Sequence, residues 1–257
     1  MKITVARWVF LLIPSIAFAG PSLKSLPVEI HISVCSGVSE TVQKLGLTPT
    51  FDEHRTGWFF DNDELALLNQ GLMIRARQKD GASHAQITVK LRPYDSARVS
   101  DHWFSDDDFK CETDDYGVSS DVGACSLNAK LKTKTLNQMV SNFDDSTLLS
   151  NDQRSFLSEN LSPLPSFAGV RALGPIDVSD WDFKSTDGTH DLELEVWQVS
   201  GMDPVIEVST RTSTGAAPQL RDVLTRMILD RGLNLCRRQD GKSRQTLEYL
   251  AKAGPRS

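Results

Sequence analysis

The chain has 257 residues, with 28 Lys and Arg against 34 Asp and Glu and a formal net charge of −6 at pH 7. This acidic balance argues against general binding to nucleic acid, which needs a basic surface. Downstream of the N-terminal segment, no apolar run is long enough to suggest a membrane span.

The N-terminal segment 1–19 has the pattern of a secretory signal peptide. Lys2 and Arg7 give a positive start, an apolar stretch runs to Phe18, and Ala-Phe-Ala precedes Gly20 as a cleavage pattern. A buried N-terminal strand or helix is the weaker alternative, because the stretch has few polar residues. We therefore expect an exported protein, periplasmic or extracellular, with a mature net charge of −8 and no membrane contact after the signal is removed.

Several short segments of the mature chain alternate apolar with charged residues, which is the period-two pattern of strands. In chain order they are Glu29–Val34, Arg75–Arg77, Ile87–Arg92, Lys110–Asp114, Asp191–Val196 and Ile206–Arg211. Leu72–Gln78 and Gln86–Arg92 form a predicted hairpin around Asp80-Gly81. Helices are predicted from Gly37 to Leu45 and from Pro218 to Gly232, where the chain continues into a basic tail.

The segment 126–167 interrupts this strand pattern. It carries leucines and other apolar residues and ends at Pro163 and Pro165, so it predicts an insert of two or three short helices. No convincing linker separates the strands before the insert from those after it. We therefore expect residues 20–257 to form one α+β domain.

The four cysteines are Cys35, Cys111, Cys125 and Cys236. In an oxidising compartment they predict two disulfides, for which three connectivities exist. The short spacing of Cys111 and Cys125 across a predicted turn favours their pairing. Our preferred pairs are Cys111–Cys125 and Cys35–Cys236, and only the first rests on an observation. A zinc site is less favoured because no C-x-x-C spacing occurs.

The polar stripes of the predicted strands have two interpretations. A half-buried antiparallel sheet shows the same alternation when its polar face meets water. In a closed sheet, the same stripes would line a lumen with both cations and carboxylates. The alternation alone does not decide between a solvated face and a lumen.

A series of short motifs resembles the CYTH superfamily, the triphosphate tunnel metalloenzymes. The matching residues are Phe60-Asp61-Asn62, Gly71, Ile74-Arg75-Ala76-Arg77, Thr88-Val89-Lys90, Lys110-x-Glu112-x-Asp114, Glu207 and Lys242-Ser243. Each motif is short, and their order and spacing together carry the resemblance. It extends over roughly residues 28 to 250.

The resemblance implies a closed or nearly closed antiparallel β-barrel of about eight strands with flanking helices. It further implies a site in which cations hold phosphate and glutamates hold Mg²⁺ or Mn²⁺. The phosphate-binding residues would be Arg75, Arg77, Lys90, Lys110 and Lys242. The metal ligands would be Glu29, Glu112, Glu207 and His31, and the catalytic residues Glu29 and Glu207.

The sequence departs from the family in its acidic motifs. The first strand reads Glu29-Ile30-His31-Ile32-Ser33, whereas the family has E-x-E-x-K. The late acidic strand has two candidates, Glu207 with Ser209 or the pair Glu193 and Glu195. We prefer Glu207, because a long helix follows it as in the family.

Three functions stay open at this point. The first is an exported metal-dependent phosphohydrolase acting on inorganic triphosphate, polyphosphate or a nucleotide. The second is a binding module that kept the tunnel and lost turnover, so that its partner is still a small polyanionic phosphate ligand. The third discards the resemblance and leaves a structural or interaction β-protein with its charges in water.

Overall fold

The computed structural model describes residues 26–117 and 121–254, so the predicted signal peptide 1–19 lies outside the described residues. The strands are β1 (Pro27–Val34), β2 (Glu53–Asp61), β3 (Leu72–Lys79), β4 (His84–Leu91), β5 (Phe109–Asp115), β6 (Val122–Lys132), β7 (Arg171–Lys184), β8 (Asp191–Gln198) and β9 (Val205–Ser213). The helices are α1 (Val38–Leu45), α2 (Ala66–Asn69), α3 (Thr133–Ser141), α4 (Asp145–Leu148), α5 (Asn151–Asn160), α6 (Ala217–Asp230) and α7 (Lys242–Ala253). Two 3₁₀ turns, Ser96–Arg98 and Asp101–Ser105, lie before β5.

The nine described strands close into a barrel in the order β1-β5-β6-β4-β3-β2-β7-β8-β9, and β9 returns to β1. Among the described strands, β1 and β5 run parallel and the other neighbours run antiparallel. The predicted closed barrel with flanking helices is confirmed; it has nine described strands where about eight were expected, and one parallel pair, β1 with β5, in an otherwise antiparallel sheet. A closed ring with an odd number of strands cannot alternate direction at every neighbour, so at least one parallel pair is required.

Apolar residues on the outer face of the barrel pack under two groups of helices. Val28, Ile30 and Ile32 of β1 belong to a buried cluster that includes residues of α1 and α6. On the opposite side, residues of β3, β4 and β6 pack with those of α3 and α5. Because neighbouring residues of a strand point to opposite faces, the polar residues between these apolar ones point into the barrel.

One end of the barrel is filled by apolar side chains and by α7. Met73, Trp197 and Val205 are the inward residues at this end, and they belong to one buried cluster with Leu247 and Leu250 of α7. We call this end the floor of the barrel. The sequence predicted only a basic tail after α6, and the structure instead places there a helix whose apolar stripe docks against β7 and β9.

The predicted helical insert begins later than expected. Ser126 to Lys132 belong to β6, which pairs with β4 on one side and β5 on the other, and α3, α4 and α5 follow from Thr133 to Asn160. The spacing of Leu127 and Leu131 suggested a helix, but residues four apart also share a face of a strand. The insert near 126–167 is therefore corrected to one that starts at Thr133.

Two disulfides join Cys35 to Cys236 and Cys111 to Cys125, which confirms both preferred pairs. The second links directly opposite residues of β5 and β6. None of the described helices is long and apolar enough to cross a membrane.

Candidate functional site

The barrel encloses a polar cavity of about 230 Å³, which we call the lumen. Its described wall contains seven cationic residues and six carboxylates. The cations are Arg75, Arg77, Lys90, Arg92, Lys110, Arg211 and Lys242, and the carboxylates are Glu29, Glu112, Asp114, Glu193, Glu195 and Glu207. His31, Tyr116 and Ser243 also line the cavity. The polar stripes of the strands therefore face an enclosed space, and the solvated-face interpretation is wrong for them.

All nine residues predicted for the site lie on the lumen wall: Glu29, His31, Arg75, Arg77, Lys90, Lys110, Glu112, Glu207 and Lys242. Strand periodicity explains this outcome, because positions two apart along a strand share its inner face. Lys242 reaches the lumen differently, from the first turn of the floor helix α7. Position alone does not assign a role to any of them.

The sequence interpretation left out several residues of the wall. Arg92 lies two residues after Lys90 and Arg211 lies four after Glu207, so the same periodicity could have found both. The two candidates for the late acidic strand were not exclusive. Glu193 and Glu195 of β8 face the lumen together with Glu207 of β9, and Glu195 lies directly opposite Glu207 in the sheet.

Lys242 bridges these two opposed carboxylates. Its Nζ lies 2.5 Å from Glu195 Oε2 and 2.5 Å from Glu207 Oε1, and its side chain is 14% exposed. Burial alone would lower the pKa of Lys242, but the two glutamates reverse this and raise it. Burial likewise would raise the pKa of Glu207, and Lys242 with His31 lowers it to about 2. Lys242 and Glu207 are therefore charged at neutral pH.

His31 lies on the lumen wall between the carboxylates of Glu207 and Asp114. Its Nδ1 lies 2.9 Å from Glu207 Oε1, and its Nε2 lies 3.3 Å from Asp114 Oδ1. Its ring also stacks on Tyr116 with 4.8 Å between centroids. Burial would lower the pKa of His31, but Glu207, Asp114 and Glu29 outweigh it and raise the pKa to about 9. Both ring nitrogens therefore carry protons and donate to carboxylates.

The other carboxylates on this side are paired as well. Asp114 Oδ2 lies 3.3 Å from Lys90 Nζ and 3.2 Å from Arg92 Nε. Glu112 lies 3.1 Å from Lys90 and 2.8 Å from Lys110, and Glu29 pairs with Arg211 at 3.3 Å. We call His31, Asp114, Glu195, Glu207 and Lys242 the paired cluster.

Arg75 and Arg77 of β3, which we call the arginine pair, have a different environment. Among the described residues, neither forms an ion pair within 4.0 Å, and Arg77 donates a 3.0 Å hydrogen bond to Gln86. The Nε of Arg77 is buried without a partner. Arg75 and burial lower the pKa of Arg77 to about 9, and burial lowers that of Arg75. Glu195 acts on both guanidinium groups at longer range, so β3 carries two cations with no described carboxylate in direct contact.

The fold has solved counterparts, although no protein-family model and no curated protein matches the sequence. A Hippeastrum protein, described as a candidate adenylyl cyclase with a dominant triphosphatase activity, matches with a TM-score of 0.59 and 13% identity over 85% of this chain and 93% of that chain. A candidate adenylate cyclase from Bacillus halodurans matches with a TM-score of 0.56 and 13% identity, over 84% and 96% of the two chains. The chain has the triphosphate-tunnel fold. The likeness to the CYTH superfamily is thereby confirmed for the fold.

The triphosphate-tunnel family implies a divalent metal ion, so its fit depends on which donors are available in this tunnel. Glu29, His31 and Asp114 each place one ligand atom within 4.8 Å of the others, which assembles a cluster of the right residue types. However, both nitrogens of His31 donate to carboxylates, and a protonated nitrogen has no lone pair for a metal. Asp114 is also held by Lys90 and Arg92. In this arrangement the donor set does not fit a hard divalent cation.

Proposed function

We propose that the tunnel binds a small linear polyphosphate, such as inorganic triphosphate or the phosphate chain of a nucleotide. The observation that carries the proposal is the arginine pair, Arg75 and Arg77, which faces the lumen without an ion-paired carboxylate among the described residues. Two adjacent guanidinium groups that repel each other in an enclosed space are stabilised by an anion. Arginine grips phosphate oxygens with two donors at a fixed geometry.

The charge balance of the lumen supports a multiply charged ligand rather than a single carboxylate. Seven Arg and Lys residues face six carboxylates, and protonated His31 adds a further positive charge. Lys90, Arg92 and Lys110 line the same cavity, where they are paired with Glu112 and Asp114. The triphosphatase activity described for the Hippeastrum protein, which has the same fold, is consistent with such a ligand.

Turnover is not part of the proposed function. The resemblance implied hydrolysis with Mg²⁺ or Mn²⁺ and catalytic roles for Glu29 and Glu207. Glu29 is paired with Arg211, and Glu207 is paired with His31 and Lys242. A carboxylate held by cations is a poor base and a poor metal ligand, because its negative charge is already neutralised. Phosphate release from triphosphate by the wild type, absent in Glu29→Gln, would add an enzymatic activity to the proposal.

Calorimetric titration with sodium triphosphate tests the binding. The wild type should bind, and Arg75→Ala/Arg77→Ala should weaken binding by at least about 100-fold, since each lost charge-assisted contact is worth about 1.5–3 kcal/mol. The matched control is Arg226→Ala/Lys252→Ala, which removes the same charge from exposed positions on α6 and α7. Equal affinity in the arginine-pair variant and the control would contradict the proposal, as would no binding by the wild type.

We also propose that the protein works in an oxidising compartment, periplasmic or extracellular. The two disulfides support this location, because cytosolic thiols are normally kept reduced. Intact-mass analysis of the exported protein should find a chain that begins at Gly20 with no free thiol. A secreted chain that retained residues 1–19 would contradict the signal assignment.

A further inference from the structure

We propose that this tunnel binds its polyphosphate without a divalent metal ion, because Lys242 and His31 hold the carboxylates that such an ion would need. The inference rests on the proposed function and specifies how the same lumen balances its charge. It departs from what the fold family implies.

Lys242 lies between two carboxylates that a metal ion would need. Its ammonium group lies between Glu195 and Glu207, at 2.5 Å from each, and these residues face each other across β8 and β9. Two carboxylates that contact the same ammonium group would repel each other if no cation lay between them. Here the cation is a side chain fixed on α7, so a metal ion entering this position would have to displace it.

The second oxygens of Glu195 and Glu207 are the feature of the lumen that most favours a bound metal ion. Glu195 Oε1 and Glu207 Oε2 are buried without a hydrogen bond. Arg55 lies 4.0 Å from the first, and His31 binds the same carboxyl group as the second. Cationic side chains therefore offset both carboxyl groups. Binding of Mn²⁺ at the two oxygens would raise the melting temperature of the wild type.

His31 also contacts carboxylates that a metal ion would need. It stands where the first strand of the fold family carries a second glutamate, so a ring that contacts two carboxylates replaces a carboxylate ligand on the lumen wall. The ring spans Asp114 and Glu207, which belong to opposite neighbours of β1, and it is 7% exposed. Asp114 also forms ion pairs with Lys90 and Arg92. Side chains of the protein itself therefore pair with the carboxylates of Asp114 and Glu207.

This arrangement determines the form of ligand that the tunnel prefers. A metal-free triphosphate keeps its full negative charge for the arginine pair, whereas a magnesium or manganese complex has lost part of it. In a tunnel that needed the metal, the complex would be the tighter ligand. In this tunnel, the free anion should be the tighter ligand.

Two measurements on the wild type test the inference. Triphosphate titrated in the presence of EDTA should bind, and excess MnCl₂ should weaken the apparent affinity by about tenfold or more, as expected from competition for the ligand. Millimolar MnCl₂ without phosphate should shift the melting temperature of the wild type by less than about 1 °C. Binding that requires Mn²⁺, or a melting temperature that rises by several degrees with Mn²⁺, would overturn the inference.

A variant provides the positive control. His31→Glu restores a second carboxylate beside Glu29, Asp114 and Glu207, so Mn²⁺ should bind it and raise its melting temperature by about 5 °C or more. His31→Gln, which adds no charge, should not respond to Mn²⁺. If His31→Glu does not fold without metal, refolding in the presence of Mn²⁺ gives the same answer. If it folds and Mn²⁺ leaves its melting temperature unchanged, the argument from residue 31 is wrong.

The outcomes separate this inference from the proposed function. If triphosphate binds neither with EDTA nor with Mn²⁺, the proposed function fails, and the manganese melting experiment still reports whether the carboxylates accept a metal. If triphosphate binds only with Mn²⁺, the proposed function stands and the inference fails.

Discussion

The arginine pair and the paired cluster line one lumen, yet among the described residues only the paired cluster has its charges in direct ion pairs. In the paired cluster, Lys242 and His31 each contact two carboxylates. In the arginine pair, Arg75 lowers the pKa of Arg77, and no described carboxylate forms an ion pair with either. The first arrangement stabilises the folded barrel, whereas the second carries repulsion that a ligand can relieve. Charged lumen residues therefore divide into those that stabilise the fold and those available for binding.

The largest effect should come from removing the central cation of the paired cluster. Lys242→Met leaves Glu195 and Glu207 buried and opposed, which should cost about 3–5 kcal/mol of unfolding free energy. Urea denaturation measures it, and Lys252→Met, an exposed position on the same helix, is the control. If both variants lose the same small amount, Lys242 does not stabilise the barrel and the comparison fails.

A smaller effect should appear as a pH dependence of stability. The pKa of His31 is about 9 in the folded protein against an ordinary 6.5, because Glu207, Asp114 and Glu29 favour its charged form. Its contribution should therefore be fully present below pH 6.5 and be lost as the pH rises through 9, by about 3 kcal/mol in total. Denaturation of the wild type and His31→Gln across this range measures the difference. Parallel stability curves for the two proteins would show that His31 is not the titrating group.

The smallest effect should have the opposite sign. Arg77→Gln removes one of two repelling guanidinium groups, so it should stabilise the protein by about 1 kcal/mol while weakening triphosphate binding. Thermal unfolding and calorimetry on the same preparation measure both quantities. A loss of stability comparable to that of Lys242→Met would place Arg77 among the structural cations instead.

Period-two alternation predicted much of this tunnel because it fixes which residues share the inner face of a strand. That Arg75 and Arg77 share one face, and Lys110 and Glu112 another, follows from that rule alone. Closure of the barrel did not follow, since the same alternation occurs in open sheets, and only the resemblance supplied it. The parallel neighbours β1 and β5 were missed because strand direction depends on the number of strands in the ring.

Features that depend on distant parts of the chain were the hardest to predict. The ion pairs of Lys242 join α7 to β8 and β9, and no local pattern indicates which carboxylates it meets. The role of β6 was obscured because Leu127 and Leu131 satisfy both helical and strand periodicity. The choice between Glu195 and Glu207 was a choice between sequential matches, whereas the barrel brings both together.

The disulfide between Cys35 and Cys236 has a consequence for how the tunnel acquires its central lysine. The bridge ties the end of β1 to the segment that leads into α7, and backbone hydrogen bonds of Cys35 with Asn234 and of Cys236 with Ser33 reinforce it. Without this disulfide, only non-covalent contacts hold the floor helix against the barrel. Formation of this disulfide thus fastens the floor helix, so that completion of the cavity is coupled to thiol oxidation.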